Sequence, residues 1–371
     1  MRLVPVNCIR EGSYLAKTLY DTNGTVLLSK GYRLTNAVLK RIELSGISIL
    51  YINDEYTDDE IEDFIKPELK QKAIKTIKGS FEGIAKYCEQ VKLNPSIAKR
   101  KQEISRKYKY TEDIAHLAGD IVDEIVHEKN ILINLVDIKS MDNYTYEHSI
   151  SVTILSIILG MELKLDKKRL VELAVGALLH DVGKVFVPKD ILLKKGKLVD
   201  DEFRIIQEHT TYGYNYIKSD LNISVTSSNI ALQHHEKVDG TGYPEGVKSD
   251  RIHDYAKIVA IADVYDALTS DRPYRKAMSP NDAMEYIMGT AERHFDYKMV
   301  NAFIRKIVPY PKGSMVRLSS GEIGIIDEVN NIFPLRPKIK VIKKGGVMQH
   351  IDLMEENDIV IKGIQYQAPE M

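Results

Sequence analysis

Residues 172–184 read ELAVGALLHDVGK. Leu173, Ala174, Ala177 and Leu178 recur three and four apart, with Leu170 one turn earlier, the spacing of one buried helical face. The run ends on His180 and Asp181, so a helix delivers an imidazole and a carboxylate to a buried place. An ionised Asp there costs on the order of several kcal/mol unless it is paired or bound to a cation. KIVAIA at 257–262 sets the same problem for Asp263.

Of the ten histidines, five stand out, His148, His180, His209, His234 and His235, all within the helical block 131–308. A shared metal site accounts for them and for both carboxylates. His148, His180, Asp181 and Asp263 suffice for one ion. His209, His234 and His235 are then surplus, which predicts a second ion about 3.5–4 Å away with Asp181 bridging. Imidazole and carboxylate without thiolate favour Fe, Mn or Zn. Paired ions of this kind serve in-line displacement at phosphorus. Basic residues fit a phosphate ester: Lys184 is three residues past Asp181, and Arg272 and Arg275 follow Asp263 in SDRPYRK. Asp239-Gly240-Thr241-Gly242-Tyr243-Pro244 is a turn able to project Tyr243 and backbone N–H groups towards a ligand.

Working outward, residues 309–371 switch to β-rich runs, MVRLS, EIGIIDEV, KIKVIK, MQHIDLM and DIVIKGI, which predict a small antiparallel barrel or curled sheet. Residues 1–54 predict a small α+β module, with strands at LVPV, TVLLS and ISILYI and a helix capped by Thr35 through about Leu44. Residues 55–130 predict a charged helical linker. Between Lys66 and Tyr110, 13 Lys/Arg face 4 Asp/Glu. The basic residues alternate with apolar ones at helical spacing, which favours a solvated face over a nucleic-acid patch. Asp200 is expected to cap a helix running through His209, and Ser279-Pro280 to start another. The fold class expected is mainly α: a helical bundle flanked by the two small modules.

The 371 residues predict two or three domains. Hydrophobic content of 44% and charged content of 28% argue against a disordered chain or a fibre. A net charge of -1 gives no overall field for a nucleic-acid polymer or an anionic membrane. Cys8 and Cys88 suggest a reducing compartment. The first 15 residues lack the apolar core of a secretory signal, and Ile150–Leu163 is too short and too broken by Ser to span a bilayer. The expectation is a cytoplasmic protein, with the helical linker as a possible dimer contact.

YTYEHS (144–149), LLHDVGK (178–184), EHTTYGY (208–214), ALQHHEKVDGTGYP (231–244) and IADVYDALTSDRPYRKAM (261–278), in this order, resemble the HD-GYP family, the phosphodiesterase branch of the HD phosphohydrolases. The resemblance covers about 130–308. It implies a helical bundle that hydrolyses the bacterial second messenger cyclic di-GMP to linear pGpG, by attack of a metal-bridging hydroxide. His148, His180, Asp181 and Asp263 would hold one ion, and His209, His234 and His235 a second bridged by Asp181; iron or manganese is implied. Lys184 would stabilise the attacked phosphate, and Tyr243, Asp266, Arg272 and Arg275 match positions that contact the dinucleotide. Some members carry a Glu for a third metal where Tyr144 stands here, so two ions are expected and further cleavage of pGpG to GMP is doubtful. The competing readings are an HD-type hydrolase of another nucleotide and a non-catalytic cyclic dinucleotide receptor.

Overall fold

The computed structural model describes residues 1–20, 26–45, 47, 49–54, 65–93, 101–127, 144–194, 196–221, 223–270, 278–310, 312–330, 332–343 and 348–366. The sequence predicts a turn at Asp21-Thr22-Asn23-Gly24 and helix ends at Gly46 and Asn94-Pro95-Ser96; these, with Arg272 and Arg275, lie outside the described residues.

The N-terminal part contains β1 (Arg2–Pro5), β2 (Tyr14–Leu15), β3 (Leu19–Tyr20), β4 (Val26–Leu28), α1 (Asn36–Leu44) and β5 (Ile49–Asn53). One antiparallel sheet runs β1-β5-β2, and β3 pairs with β4. Thr35 caps α1 by accepting from the Val38 N–H at 3.4 Å. Val4, Val6, Leu15, Leu34, Leu39, Leu50 and Ile52 form its core.

The centre is helical: α2 (Pro67–Leu93), α3 (Lys101–Val126), α4 (Tyr144–Glu162), α5 (Lys167–Leu179), α6 (Lys189–Leu192), α7 (Asp200–Gln207), α8 (His209–Asp220), α9 (Val225–Gln233), α10 (Asp254–Thr269), α11 (Pro280–Gly289) and α12 (Tyr297–Ile304). The stretch Ile150–Gly160 of α4 is buried throughout, as expected of a helix apolar all round at the middle of a bundle. Two of its buried hydroxyls are satisfied locally, Ser151 donating to the Glu147 carbonyl and Thr153 to the Ser149 carbonyl, whereas the buried Ser156 hydroxyl has no hydrogen-bond partner among the described residues. α5 and α9 meet at Gly176, where a Cβ would come within 2.9 Å of the Ser227 carbonyl oxygen. Ser279 caps α11, accepting from the Asp282 N–H.

Segment 55–130 carries α2 and α3 among its described residues, and they share one core with the rest of the bundle. Ile77, Ile84, Ile114, Leu117, Ile121 and Ile125 are buried against residues of α4, α5 and α10. The Asp200 expectation is corrected. Asp200 is the first residue of α7, Glu202 accepts from the Val199 N–H at 3.0 Å, and the helix stops at Gln207, so that His209 opens α8.

Five strands follow: β6 (Met315–Leu318), β7 (Ile323–Glu328), β8 (Lys338–Ile342), β9 (Met348–Asp352) and β10 (Ile361–Ile364). They form one antiparallel sheet in the order β10-β6-β7-β8-β9 over Val316, Leu318, Ile326, Ile339 and Val341. The Arg2 guanidinium joins the two small modules. It pairs with Asp54 at 2.6 Å and donates to the Tyr366 carbonyl at 3.1 Å. Among the described residues no helix is long and apolar enough to cross a membrane.

Candidate metal centre

The seven histidine and aspartate residues singled out as ligands come from six places in the chain and converge. α4 brings His148. The C-terminal end of α5 brings His180, and the turn after it Asp181. His209 opens α8, His234 and His235 follow α9, and α10 carries Asp263. All are buried except His235, whose side chain is 25% exposed.

Asp181 stands in the middle. Its Oδ2 lies 3.4 Å from His180 Nε2 and 3.8 Å from His148 Nε2. Its Oδ1 lies 3.5 Å from His209 Nε2 and 3.9 Å from His234 Nε2. One oxygen thus faces each set. Ligand atoms of His148, His180 and Asp263 gather within 4.8 Å of one another, as do those of His209, His234 and His235. His148 Nε2 is 3.1 Å from Asp263 Oδ1, and His235 Nδ1 is 3.8 Å from Asp263 Oδ2.

The other ring nitrogens are already committed. Nδ1–H of His180 donates to the Ala177 carbonyl at 2.8 Å, that of His209 to Ile206 at 2.6 Å, and that of His234 to Ile230 at 3.0 Å. Those bonds fix the tautomer and leave Nε2 as a lone pair aimed inward. The Nε2 atoms of His209 and His234 then face each other at 3.4 Å with no proton for either. Among the described residues, the buried His180 Nε2 and Asp181 Oδ1 have no hydrogen-bond partner. Each such unpaired group costs on the order of 1–3 kcal/mol, and divalent cations remove that cost. The residues present fit a metal site with imidazole and carboxylate ligands.

The electrostatics agree. Burial pushes His209 down to about 4 and His235 to about 3, and holds His234 well below its usual range, so these rings stay neutral. Asp181 is buried, which alone would raise its pKa. The Lys184 ammonium and His180 outweigh that and hold it well below the usual carboxylate range. Asp263 is likewise held ionised against burial, chiefly by His148. His148 is the exception: burial disfavours its charge, but hydrogen bonds with Asp263 and Asp266 lift it to about 9.

Lys184 is 30% exposed and reaches Asp181 Oδ2 at 2.5 Å, at the open side of the centre. Gly183 makes this turn possible. A Cβ there would lie 1.9 Å from the His209 carbonyl oxygen, so the turn packs backbone to backbone on α8. Tyr243 lies over His235, ring centroids 4.8 Å apart and planes at 32°. Asp266, expected above to contact the dinucleotide, is 2% exposed; its Oδ2 lies 2.7 Å from His148 Nδ1 and accepts from Ser270 Oγ at 3.3 Å.

Sequence reasoning missed Glu236. Its buried carboxylate accepts from the backbone N–H groups of Glu245, Gly246 and Val247 at 2.7, 3.1 and 3.2 Å. This clamps the Asp239–Val247 loop beside His235. The loop itself is tight: Gly240 and Gly246 have φ of +86° and +62°. A Cβ on Gly242 would come within 2.4 Å of the Lys237 nitrogen. The sign was present in sequence, since a carboxylate next to two ligands and before a Gly-rich loop has many N–H groups to satisfy.

Residues 130–299 match the family model described as HD domain. A cyclic di-GMP phosphodiesterase of Pseudomonas aeruginosa is 40% identical over 233 residues, 62% of this chain and 56% of that protein. A 3′3′-cGAMP-specific phosphodiesterase of Vibrio cholerae is 40% identical over 163 residues, 44% of this chain and 37% of that protein. The chain thus spans about half or less of the length of these curated relatives. In fold, an HDG"Y"P protein from Bdellovibrio bacteriovorus superposes with a TM-score of 0.51 at 19% identity, over 81% of this chain and 97% of that one.

Proposed function

We propose that this chain, whose residues 130–299 belong to the HD domain family in its HD-GYP form, is a metal-dependent phosphodiesterase that opens cyclic di-GMP to linear pGpG. One observation carries the reading: in a buried pocket, Asp181 directs one carboxylate oxygen at each of two adjoining ligand sets. His148, His180 and Asp263 would hold one divalent ion and His209, His234 and His235 the other, with Asp181 shared and iron or manganese as the ions. When bound, such a pair lowers the pKa of water and neutralises charge on a phosphate.

The protein's own residues supply the rest. Lys184, partly exposed beside Asp181, is set to meet a phosphate oxygen and to hold the charge that grows on it at the transition state. Tyr243 forms a wall over His235, and Glu236 holds that wall in place. Arg272 and Arg275 are proposed as further phosphate contacts, with a bidentate fork suited to that group. In the reaction, water adds its oxygen to one phosphorus of the ring, the bond from phosphorus to the 3′ oxygen breaks, and the proton goes to the leaving oxygen.

The Vibrio cholerae relative supports a second substrate, 3′3′-cGAMP, on the same machinery. The test loads the protein anaerobically with Fe(II) or Mn(II), incubates it with cyclic di-GMP or 3′3′-cGAMP, and resolves the products while bound metal is counted. Appearance of pGpG with about two ions per chain supports the proposal, and accumulation without GMP fits Tyr144 at the position of the extra Glu. Intact cyclic di-GMP alongside cleaved 3′3′-cGAMP moves the assignment to the second substrate. Intact substrates in a metal-replete sample overturn the activity.

A further inference from the structure

The geometry points to Phe203 of α7 as a purine-stacking residue at the mouth of the metal centre, a role that rests on the cyclic-dinucleotide reading above. The Phe203 ring lies 6.3 Å from the Tyr243 ring with planes at 77°. Tyr243 in turn lies 4.8 Å from His235, nearly face to face. The three rings form a staircase that runs outward from a ligand of the centre to solvent. The face of Tyr243 towards the centre is occupied by His235. Phe203 meets Tyr243 edge-on, and at 46% exposure it keeps much of its own surface open.

A single exposed aromatic needs no special explanation. Phe203 differs in two respects. First, α7 contributes no buried residue to the core, so nothing in packing requires an aromatic on it. Second, its position is held: beside it, Glu202 accepts from the Val199 N–H at 3.0 Å and from Lys194 Nζ at 2.6 and 2.7 Å. A half-open ring one step beyond Tyr243, on a helix whose start is tied by Glu202, suits a flat π-system. A substrate whose phosphate meets Lys184 carries two purines, and one of them can lie on Phe203 while its backbone stays at the centre. Stacking of this kind tightens binding and leaves the chemical step alone.

The test compares wild type, F203A and F203W in the metal-loaded protein. F203A should raise KM for cyclic di-GMP about tenfold with kcat within about twofold, and F203W should return KM towards the wild-type value. Bound metal, thermal melting and the inhibition constant of inorganic phosphate, which has no base, should match wild type in all three. Unchanged KM in F203A overturns the inference, as does a fall in kcat that F203W fails to restore. Calorimetric titration with cyclic di-GMP reads the same difference without turnover. Wild type that neither binds nor cleaves cyclic dinucleotide removes the underlying function. Wild type that does so no better than F203A removes only the role of Phe203.

Discussion

The carboxylate of Asp181 meets four imidazoles, two through each oxygen, so its two ends are not interchangeable with an amide. D181N keeps the shape but offers one oxygen and turns an N–H group on the other side. It should hold at most one ion per chain where the proposed pair gives wild type about two, read by elemental analysis after dialysis. His148 adds a pH signature. Without metal its ring stays protonated up to about pH 9, because Asp263 and Asp266 hold the proton against the cost of burial. An ion can bind only after that proton leaves. Apparent metal affinity should therefore rise about tenfold per pH unit below 9 and flatten above it, followed by chelator competition. The sign for stability is opposite. The pair of His148 with its carboxylates is fully present below the ring's ordinary pKa of 6.5 and is lost as pH rises through about 9. Metal-free protein should thus lose melting temperature across that window. In D266N both slopes should shift to lower pH. Asp263 and His180-Asp181 were legible because ionisable groups end apolar runs, and the other histidines because they gather in one helical block. The partner of Asp266 was not, because 118 positions separate it from His148.

At the level of elements, the centre depends on places where backbones touch. The 182–186 turn lies on α8 at Gly183, where a Cβ would fall 1.9 Å from the His209 carbonyl. G183A should force the turn off α8, lowering stability by roughly 1–3 kcal/mol or more and reducing bound metal, since Asp181 and His209 flank the contact. G79A in α2 is the control. Nothing lies within 4 Å of a Cβ there, so thermal melting should hold or rise, by up to about 1 kcal/mol of stability. Helix starts at Thr35 and Ser279 could be read from capping chemistry. The break between α7 and α8 could not, because the run from Phe203 to His209 keeps its helical spacing and the one residue between the helices, Glu208, itself has right-handed helical dihedrals.

For the whole molecule, the central core extends beyond the residues that carry the chemistry. Ile77 and Ile121 are fully buried in the same cluster as Leu155 and Leu178. I121A should cost about 2–5 kcal/mol, and metal release should follow the same melting transition, measured by calorimetry with a chromophoric chelator present. The apolar spacing of Ile74, Ile77, Phe81 and Ile84 was visible in the sequence, but periodicity shows a face without naming what covers it. The antiparallel C-terminal sheet was visible for a simpler reason, its change of period to two.

The imidazoles of His180, His209 and His234 are each tied by Nδ1 to a carbonyl of their own helix or the turn before it. The entropy of aiming those rings is therefore spent at folding, and none is left for an arriving ion to supply. A cradle finished in advance gives an arriving ion its geometry instead of taking shape around it.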